Sequence, residues 1–472
     1  MCFICTQEAG FESNIATIIG ISETPKLEVK QNQLFIPPTP LTESNQNKYT
    51  FNIVGLDQTS PLYDGIYLNS TRGIEYISSK LKWKGTIDFV AKYETNPPST
   101  WNATDPKNNR SDRGFGGYGN SNEALYEITT GKDRYTGTLG LNDPYQLDYD
   151  VGSFIFPSPS SSTKLYNYTV EVFIDPNPIA EDDSSIPAGT HDYFSIFLHE
   201  CFHTMGMNPF NTTFTDLIIE RNEKDYFTGE ASVAIYGEDL EIVDGKQHYK
   251  LKEKNGQVYD LMGNPNYEKN RWTITTLDQA IFGDLGFGII LNGRDSNESY
   301  IGGLGDDIIN LFGGNDIFKG RSGDDTINGG DGTDTTVYTE SFSNYSFNRS
   351  NDVMRITDLR IGVNDGTDTL SNIEYIQFTD QTVEESKVDI VKTYSGNFSD
   401  YKFYNKGNGV YQIKTDSGYD DITGYPLLTF TGEEETSAFR DVSAIVDIKG
   451  TFDQVTGLNT DDAKMFRLYN AS

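Results

Sequence analysis

The chain has 472 residues and a formal net charge of −33, and a length of this order predicts roughly three domains. So negative a protein is excluded as a binder of nucleic acid or anionic membranes, whereas its carboxylates suit cations such as calcium. Its three cysteines are too few for a disulfide framework. We find neither a secretory signal nor a stretch of transmembrane length. We therefore expect no membrane insertion, and export would need a route without a cleaved N-terminal signal.

Residues 1–45 form an irregular lead punctuated by prolines, and this lead could act as a pro-segment that covers an active site. Within it, Cys2 and Cys5 make a C-x-x-C pair. We interpret them as free thiols because no second pair completes a zinc site, and a thiolate that caps a catalytic metal is the less favoured alternative. From about residue 46 the pattern becomes β-rich, and residues 85–93 and 168–175 alternate as half-buried strands.

The sequence from His199 to His203 reads H-E-x-x-H, within an apolar stretch that predicts a buried helix. Thr190 can cap this helix and Gly206 can end it. Side chains four residues apart share one face of a helix, so both imidazoles can reach one metal ion. Glu200 can then act as the general base on a metal-activated water. Because the chain has only four histidines, a chance packing of two in this spacing is the less favoured interpretation.

A catalytic zinc ion usually takes a third protein ligand and keeps one position for water. His191 is predicted in the first turn of the same helix, about 12 Å from His199 at 1.5 Å per residue, so it cannot share the ion. His248 is therefore the predicted third ligand, and a surface histidine in a polar loop is its non-functional interpretation. Asp260 is the rival ligand, and a later glutamate is less favoured. Cys201 is predicted to be a core residue.

From Gly302 the chain repeats every nine residues as G-G-x-G-x-D-x-U-x, the pattern of a calcium-binding β-roll. The candidate calcium ligands occupy the sixth positions: Asp307, Asp316, Asp325 and Asp334. The glycines predicted to shape the calcium-loop backbone are Gly303, Gly305, Gly314, Gly323 and Gly332. Each turn of roll uses two repeats, so Asp307 should stack on Asp325, and Asp316 on Asp334. An imperfect leading turn places Glu298 in a sixth position. A glycine-rich linker would not explain this phasing.

A duplication follows the repeats. An aromatic pattern that begins at Tyr338 recurs from Tyr394, and Asp368 and Phe378 return further on as Asp420 and Phe430. We interpret these segments as two related β modules with a structural or binding role. A second helix is predicted from Thr276 to Gly286. The predicted organisation is a lead (1–45), a catalytic domain (46–290), a roll (291–340), two β modules (341–390 and 391–440) and a tail that begins a helical domain (441–472).

The motif H-E-x-x-H-x-x-G, from His199 to Gly206, resembles that of the metzincin metallopeptidases. In most metzincins a third histidine would stand at the place of Pro209. The later position of His248, before a methionine turn at Met262, is similar to the leishmanolysin-like branch. The metzincin tyrosine that follows the methionine is replaced here by Asn264. This resemblance implies a zinc endopeptidase whose ligands are His199, His203 and His248.

The nonapeptides, with Asp365 to Phe378 after them, resemble the RTX (haemolysin-type) proteins, including the C-terminal domain of serralysins. That resemblance implies secretion through the type I machinery and folding of the roll on extracellular calcium. Together, the two resemblances imply an α+β multidomain protein in which a mixed twisted sheet with an active-site helix precedes a parallel β-roll and further β modules. The expected function is secreted hydrolysis of a protein or peptide substrate, with zinc and several calcium ions. A calcium-dependent surface or adhesion protein with a relic protease site is the alternative.

Overall fold

A computed structural model describes residues 47–92, 145–149, 156–158, 161–167, 170–209, 211–243, 246, 248–250, 261–263, 269–350, 353–362, 365–397, 400–407, 410–422 and 427–432. The N-terminal lead with Cys2 and Cys5, the tail 441–472, the rival ligand Asp260 and Asn264 lie outside these residues. Where it is described, the chain mixes α-helices with a larger number of β-strands. None of the described helices combines the length and apolar character needed to span a bilayer.

The described α-helices all belong to the part of the chain that precedes the repeats. They are α1 (Tyr63–Ser78), α2 (Tyr193–Met205), α3 (Thr212–Asp216), α4 (Glu230–Tyr236) and α5 (Thr276–Asp284). The strands of this part are β1 (Lys48–Val54), β2 (Leu81–Lys82), β3 (Thr86–Lys92), β4 (Tyr145–Tyr149), β5 (Phe156–Ser158), β6 (Ser161–Asn167), β7 (Val170–Phe173), β8 (Thr190–Asp192), β9 (Ile218–Arg221), β10 (Lys224–Phe227), β11 (Leu240–Val243) and β12 (His248–Tyr249).

Apart from β2, the described strands of this part form three sheets. Strands β1, β3 and β4 form a parallel sheet, and β5 to β8 form a mixed sheet in which β7 and β8 are parallel. Strands β9 to β12 form an antiparallel meander, and β2 pairs with the first strand of the roll. The strands predicted at 85–93 and 168–175 are confirmed as β3 and β7.

Helix α2 is buried nearly all round, as its apolar sequence predicts. Phe197 packs edge-on against Phe51 of β1, and Phe202 lies 4.4 Å from Phe282 of α5 between ring centroids. The predicted N-cap was wrong: Thr190 and His191 belong to strand β8, and the helix begins one residue after Asp192. Asp192 caps it instead, because its side chain accepts a hydrogen bond from the Ser195 backbone N–H at 3.1 Å.

The roll begins at β13 (Gly288–Asn292) and has two parallel sheets. Its remaining strands up to residue 337 are β14 (Ser299–Ile301), β15 (Ile308–Asn310), β16 (Gly313–Gly314), β17 (Ile317–Lys319), β18 (Thr326–Asn328), β19 (Asp331–Gly332) and β20 (Thr335–Val337). Each strand pairs with the strand one full turn later, so Ile309 lies beside Ile327 and Tyr300 beside Phe318. Ile309, Ile327 and Phe318 are buried, as the eighth position predicts.

The parallel ladders continue beyond residue 340. The later strands are β21 (Tyr345–Ser350), β22 (Val353–Asp358), β23 (Thr367–Ser371), β24 (Tyr375–Gln377), β25 (Thr382–Glu384), β26 (Val391–Tyr394), β27 (Lys402–Gly407), β28 (Val410–Thr415), β29 (Gly418–Ile422) and β30 (Leu427–Phe430). Strand β23 extends the sheet of β13, β15 and β18, and β24 extends that of β14, β17 and β20. The antiparallel pair β21–β22 is therefore an excursion within a roll that runs to residue 377.

The two β modules share a topology. In the first module β20 and β24 are parallel neighbours, and β21, β22 and β23 form an antiparallel meander. In the second, β26 and β30 are parallel, and β27, β28 and β29 form the meander. The second module has its own buried cluster around Phe403 and Ile413, whereas one continuous cluster joins α2, the roll and the first module. The structure thus carries the duplication that the sequence indicates.

Candidate metal centres

Helix α2 presents His199 and His203 on one face, and each ring is held by a backbone carbonyl. The Nδ1 atom of His199 lies 2.8 Å from the Leu261 oxygen, and the Nδ1 atom of His203 lies 2.9 Å from the Met207 oxygen. A carbonyl can only accept, so both Nδ1 atoms carry the proton and both Nε2 atoms present a lone pair. The two Nε2 atoms are 3.1 Å apart. Two lone pairs at that separation repel unless a cation lies between them.

His248 joins these two residues from strand β12. Its Nε2 atom lies 3.1 Å from that of His199, and the ligand atoms of all three histidines lie within 4.8 Å of one another. Tetrahedral zinc with Zn–N bonds of about 2.0–2.1 Å separates its nitrogen ligands by about 3.4 Å. All three side chains are buried. The three histidines could therefore hold a metal ion, and their spacing fits zinc.

The segment predicted to form the methionine turn contacts this cluster through Leu261. Met262 is fully buried, and the carbonyl of the preceding Leu261 is the group that orients His199. Hydrogen bonds of this kind fix the tautomer and direction of a ligating imidazole. The sequence predicts this turn from Met262, whereas the contact with His199 is made by the carbonyl of Leu261.

Burial governs the protonation of the cluster. It lowers the pKa of His199 to about 3, and it lowers that of His203 as well, so both rings stay neutral and able to bind a metal. Glu200, on the same helix, has 7% of its surface exposed, and burial raises its pKa to about 7. A carboxyl group with a pKa near neutrality is suited to take up and return a proton. Burial also raises the pKa of Cys201, which fits a core role.

A clamp that the sequence analysis missed fixes the start of α2. The Arg271 guanidinium donates to both oxygens of Asp192, at 2.9 and 3.0 Å, and to Asp175 at 2.9 Å. All three side chains are almost fully buried. Two carboxylates around one buried guanidinium form a paired and well-bonded network. No local sequence pattern indicates this network, because Asp175 and Asp192 lie 96 and 79 residues from Arg271.

The predicted calcium ligands stack as their spacing requires. The Asp307 N–H donates to an Asp325 oxygen at 2.9 Å, and the Asp316 N–H donates to an Asp334 oxygen at the same distance. Glu298 occupies the rung before Asp316, because its N–H donates to that aspartate at 2.7 Å. The structure therefore brings together the pairs of residues that lie eighteen apart in sequence.

Three oxygen atoms in these ladders lack a hydrogen-bond donor. They are the Oδ2 atoms of Asp316, Asp325 and Asp334, each of them buried. Burial, together with the charges of Asp307 and Asp368, raises the pKa of Asp325 well above its usual range. Buried carboxylate oxygens without donors are costly unless a cation binds them. Calcium, which takes six to eight oxygen ligands, fits this arrangement.

The glycines predicted to shape the calcium loops lie where backbone segments approach one another closely. Gly314, Gly323 and Gly332 have φ values of +133°, +122° and +142°, which disfavour any side chain. A Cβ atom on Gly305 would lie 2.6 Å from the Gly288 nitrogen, and one on Gly303 would overlap the Phe287 oxygen. Each glycine therefore allows two layers of backbone to approach closely.

Two further acidic residues extend the ladders, and the sequence analysis did not assign them to calcium. The Asp325 N–H donates to Asp368 at 3.0 Å, and the Asp334 N–H donates to Glu374 at 2.7 Å. Burial raises the pKa of Asp368 to about 8. The 43-residue spacing from Asp325 breaks the repeat and hides this rung, although Asp365-Gly-Thr-Asp368 keeps the local pattern.

No protein-family model matches the chain, and no curated protein matches it. Among solved structures, the chain is similar to the extracellular lipase LipA from Serratia marcescens, with 16% identity and a TM-score of 0.17. The matched region covers 29% of this chain, which spans only about a quarter of the lipase, 23% of its length. A likeness of this size carries no argument about fold or activity. The comparisons therefore leave the resemblance to metzincins as an expectation.

Proposed function

We propose that this chain is a secreted, zinc-dependent endopeptidase of the leishmanolysin-like metzincin type, stabilised by calcium bound to its RTX repeats. The observation that carries the proposal is the convergence of three buried Nε2 atoms. In the His199 and His203 rings the proton is on Nδ1, directed at a backbone carbonyl, so their Nε2 atoms present lone pairs. Metal-free imidazoles would avoid this arrangement because their lone pairs repel one another. Glu200 lies next to His199 in sequence, where the H-E-x-x-H motif requires a base.

Different residues of the chain would have different roles in peptide hydrolysis. A zinc ion, when bound, would supply Lewis acidity to a water molecule and to the substrate carbonyl. His199, His203 and His248 would hold the ion, and the Leu261 and Met207 carbonyls keep two of the rings in the ligating tautomer. Glu200 would take the proton of the attacking water at its carboxylate and pass it to the leaving amine. Its pKa of about 7 leaves both protonation states accessible near neutral pH.

The calcium roll supports the secreted part of the proposal. Its buried carboxylates repel one another until a cation binds, so the roll would stay open where calcium is scarce and fold where calcium is plentiful. That behaviour suits a chain exported unfolded by the type I machinery into a calcium-rich medium. In this proposal the secreted enzyme acts on a protein or peptide substrate.

The duplicated β modules favour a second candidate, a calcium-dependent surface or adhesion protein whose protease site is a relic. Two modules share one topology, and their described residues include no group of three metal-ligating side chains like the histidine cluster. The two candidates differ in whether the histidine cluster turns over a substrate. The binding of zinc alone would not separate them.

The deciding experiment is hydrolysis of an unfolded protein in calcium by the wild type and by Glu200→Ala. Both proteins should bind one zinc ion, because Glu200 is not a ligand, and only the wild type should cleave. Glu75→Ala, at an exposed position on α1, is the matched control and should retain activity. A wild type that binds zinc and cleaves nothing, even after residues 1–45 are removed, would move the adhesion protein ahead. A protein that binds no zinc would refute the metal site itself.

A further inference from the structure

Helix α5 carries a buried carboxylate near each end, and the two reach opposite parts of the molecule. Asp278 lies in its first turn and Asp284 is its last residue, about 9 Å further along at 1.5 Å per residue. Its middle is fixed as well, because the Gln279 side chain donates to the Ile290 and Lys80 carbonyls at 2.8 Å. A short helix held in this way can act as a rigid strut between two sites.

The first end of the strut holds the strand that supplies the third histidine. Asp278 forms a capping box with Thr275, and its Oδ1 atom also accepts a hydrogen bond from the Tyr249 hydroxyl at 2.9 Å. Tyr249 directly follows His248 in the two-residue strand β12, and both residues are fully buried. The position of the His248 ring therefore depends on a hydroxyl that α5 holds.

The second end reaches the roll. Asp284 accepts hydrogen bonds from the Ala231 N–H at 3.0 Å, from Ser232, and from the Arg321 guanidinium at 2.8 Å. Arg321 belongs to the third nonapeptide, and it also donates to the Gly302 carbonyl at 3.2 Å. The Asp284 and Arg321 side chains are 1% and 12% exposed, so water screens this ion pair weakly.

Arg321 occupies a position that suits glycine. Its φ is +75°, in the left-handed region, and the corresponding residues of the first and fourth nonapeptides are Gly303 and Gly330. The arginine therefore keeps an unfavourable backbone conformation, and the contact with Asp284 is what its side chain gains there. The second nonapeptide has Phe312 at this position, with a φ of +66° and a side chain that is 52% exposed. What distinguishes Arg321 is therefore the contact of its side chain with Asp284, outside the repeats.

The first calcium loop also rests directly on this end of α5. The Leu304 N–H donates to the Gly283 carbonyl at 2.9 Å, and a Cβ atom on Gly283 would lie 2.9 Å from the Gly303 Cα. The same loop leads into Asp307, whose N–H is bonded to Asp325. Calcium held by these two aspartates would therefore order the loops that contact the helix.

We propose that α5 couples the calcium roll to the histidine cluster, so that bound calcium raises the affinity for zinc. Without calcium the stacked carboxylates repel, the loops around Arg321 loosen, and Asp284 loses the guanidinium that ties it to the roll. The strut then holds Tyr249 less firmly, and His248 spends less time in the ligating position. By linkage, zinc must raise the affinity for calcium by the same factor. Arg321, Asp278 and Tyr249 act as positioning residues in this scheme, which rests on the proposed zinc and calcium sites.

The test is the zinc dissociation constant of the full chain, measured against a coloured chelator with and without calcium. Calcium should be removed beforehand by passage over a chelating resin, because a soluble calcium chelator would also compete for zinc. We expect calcium to tighten zinc binding by roughly 5- to 150-fold, the usual range of coupling between sites. The reverse titration should give the same factor.

Two variants test whether the coupling between calcium and zinc passes through α5. Arg321→Gly restores the glycine that the backbone favours and removes the guanidinium, so calcium should still bind while its effect on zinc falls towards onefold. Phe312→Gly makes the same change at the second position of the second nonapeptide, where φ is +66° and the side chain is 52% exposed, and should retain the full effect. Tyr249→Phe keeps the ring and removes the hydroxyl, and it should abolish the coupling even if Arg321→Gly folds poorly.

The outcomes distinguish this coupling from the proposed function. Zinc binding that ignores calcium in the wild type would overturn the coupling and leave the zinc site intact. Full coupling in both Arg321→Gly and Tyr249→Phe would overturn the route through α5. A wild type that binds no zinc or no calcium would overturn the proposed function, and the coupling with it.

Discussion

The histidine cluster and the calcium roll are built in opposite ways. In the roll the four predicted aspartates form two pairs, each eighteen residues apart, and hydrogen bonds between neighbouring rungs join them. In the cluster, His199 and His248 are 49 residues apart and belong to a helix and to the edge of a separate sheet. A repeat places the roll ligands locally, whereas the whole fold places the histidines.

The two centres also differ in what they need from their metal. His199 and His203 are held neutral by burial, in an apolar core that includes Phe202 and Phe282, so we expect the surrounding core to persist without an ion. The roll stacks Asp307, Asp325 and Asp368 in one buried ladder, where charge without a cation is unfavourable. We infer that zinc serves chemistry and calcium serves folding.

Removing each metal in turn is the most direct test of this difference between the two centres. Calcium removal should raise amide exchange across residues 288–377 by about 100-fold or more, the size of effect that saturating ligand has on stability. Residues 193–205 should stay protected. Zinc removal with a selective chelator in calcium should leave exchange in both regions nearly unchanged. A roll that stays protected without calcium would contradict the assignment of its aspartates.

The next largest effect is expected at the third ligand. His248→Ala should weaken zinc binding by more than about 100-fold, since even the outer partners of a ligand are worth 10- to 100-fold. His191→Ala and Asp260→Ala should leave the zinc dissociation constant unchanged. Loss of zinc in Asp260→Ala, with retention in His248→Ala, would assign the third ligand to the rival residue instead.

This difference between the two centres explains which of their features could be predicted from the sequence. The stacking of Asp307 on Asp325 follows from the repeat period alone, and the structure has it. The pairing of His199 with His203 follows from the helical period, and both rings converge as predicted. Each of these relations depends on one regular element and on residues close in sequence.

Relations between elements were harder to predict. His248 emerged by elimination among four histidines, a method that would fail in a chain richer in this residue. The anchors of α2 and α5, namely Arg271 and Arg321, were missed because each pairs with carboxylates far away in sequence. The N-cap moved from Thr190 to Asp192 because a strand occupies the residues where a first turn was expected. Contacts between residues far apart in sequence determine all three features, and no local sequence pattern indicates such contacts.

A smaller effect tests whether the close backbone layers of the roll limit its stability. Gly332→Ala combines a φ of +142° with a Cβ that would overlap the Gly314 carbonyl, so it should cost about 2 kcal/mol. Gly362→Ala shares a left-handed φ of +104° but meets open space, and should cost only about 1 kcal/mol. Denaturant unfolding in saturating calcium measures both. Equal costs would show that the conformation of the glycine matters and the contact between layers does not.

The smallest effect concerns the second β module, which neither metal is expected to touch. Tyr394→Phe removes the hydroxyl that donates to Asp420 at 2.7 Å, and should cost about 1 kcal/mol. Because this module has its own buried cluster, exchange should rise within residues 402–422 and stay constant in the roll. Tyr419→Phe, at a position 57% exposed, is the matched control and should change neither. Spread of the effect into the roll would show that the duplicated module folds together with the calcium ladders, and its stability would then depend on calcium as theirs does.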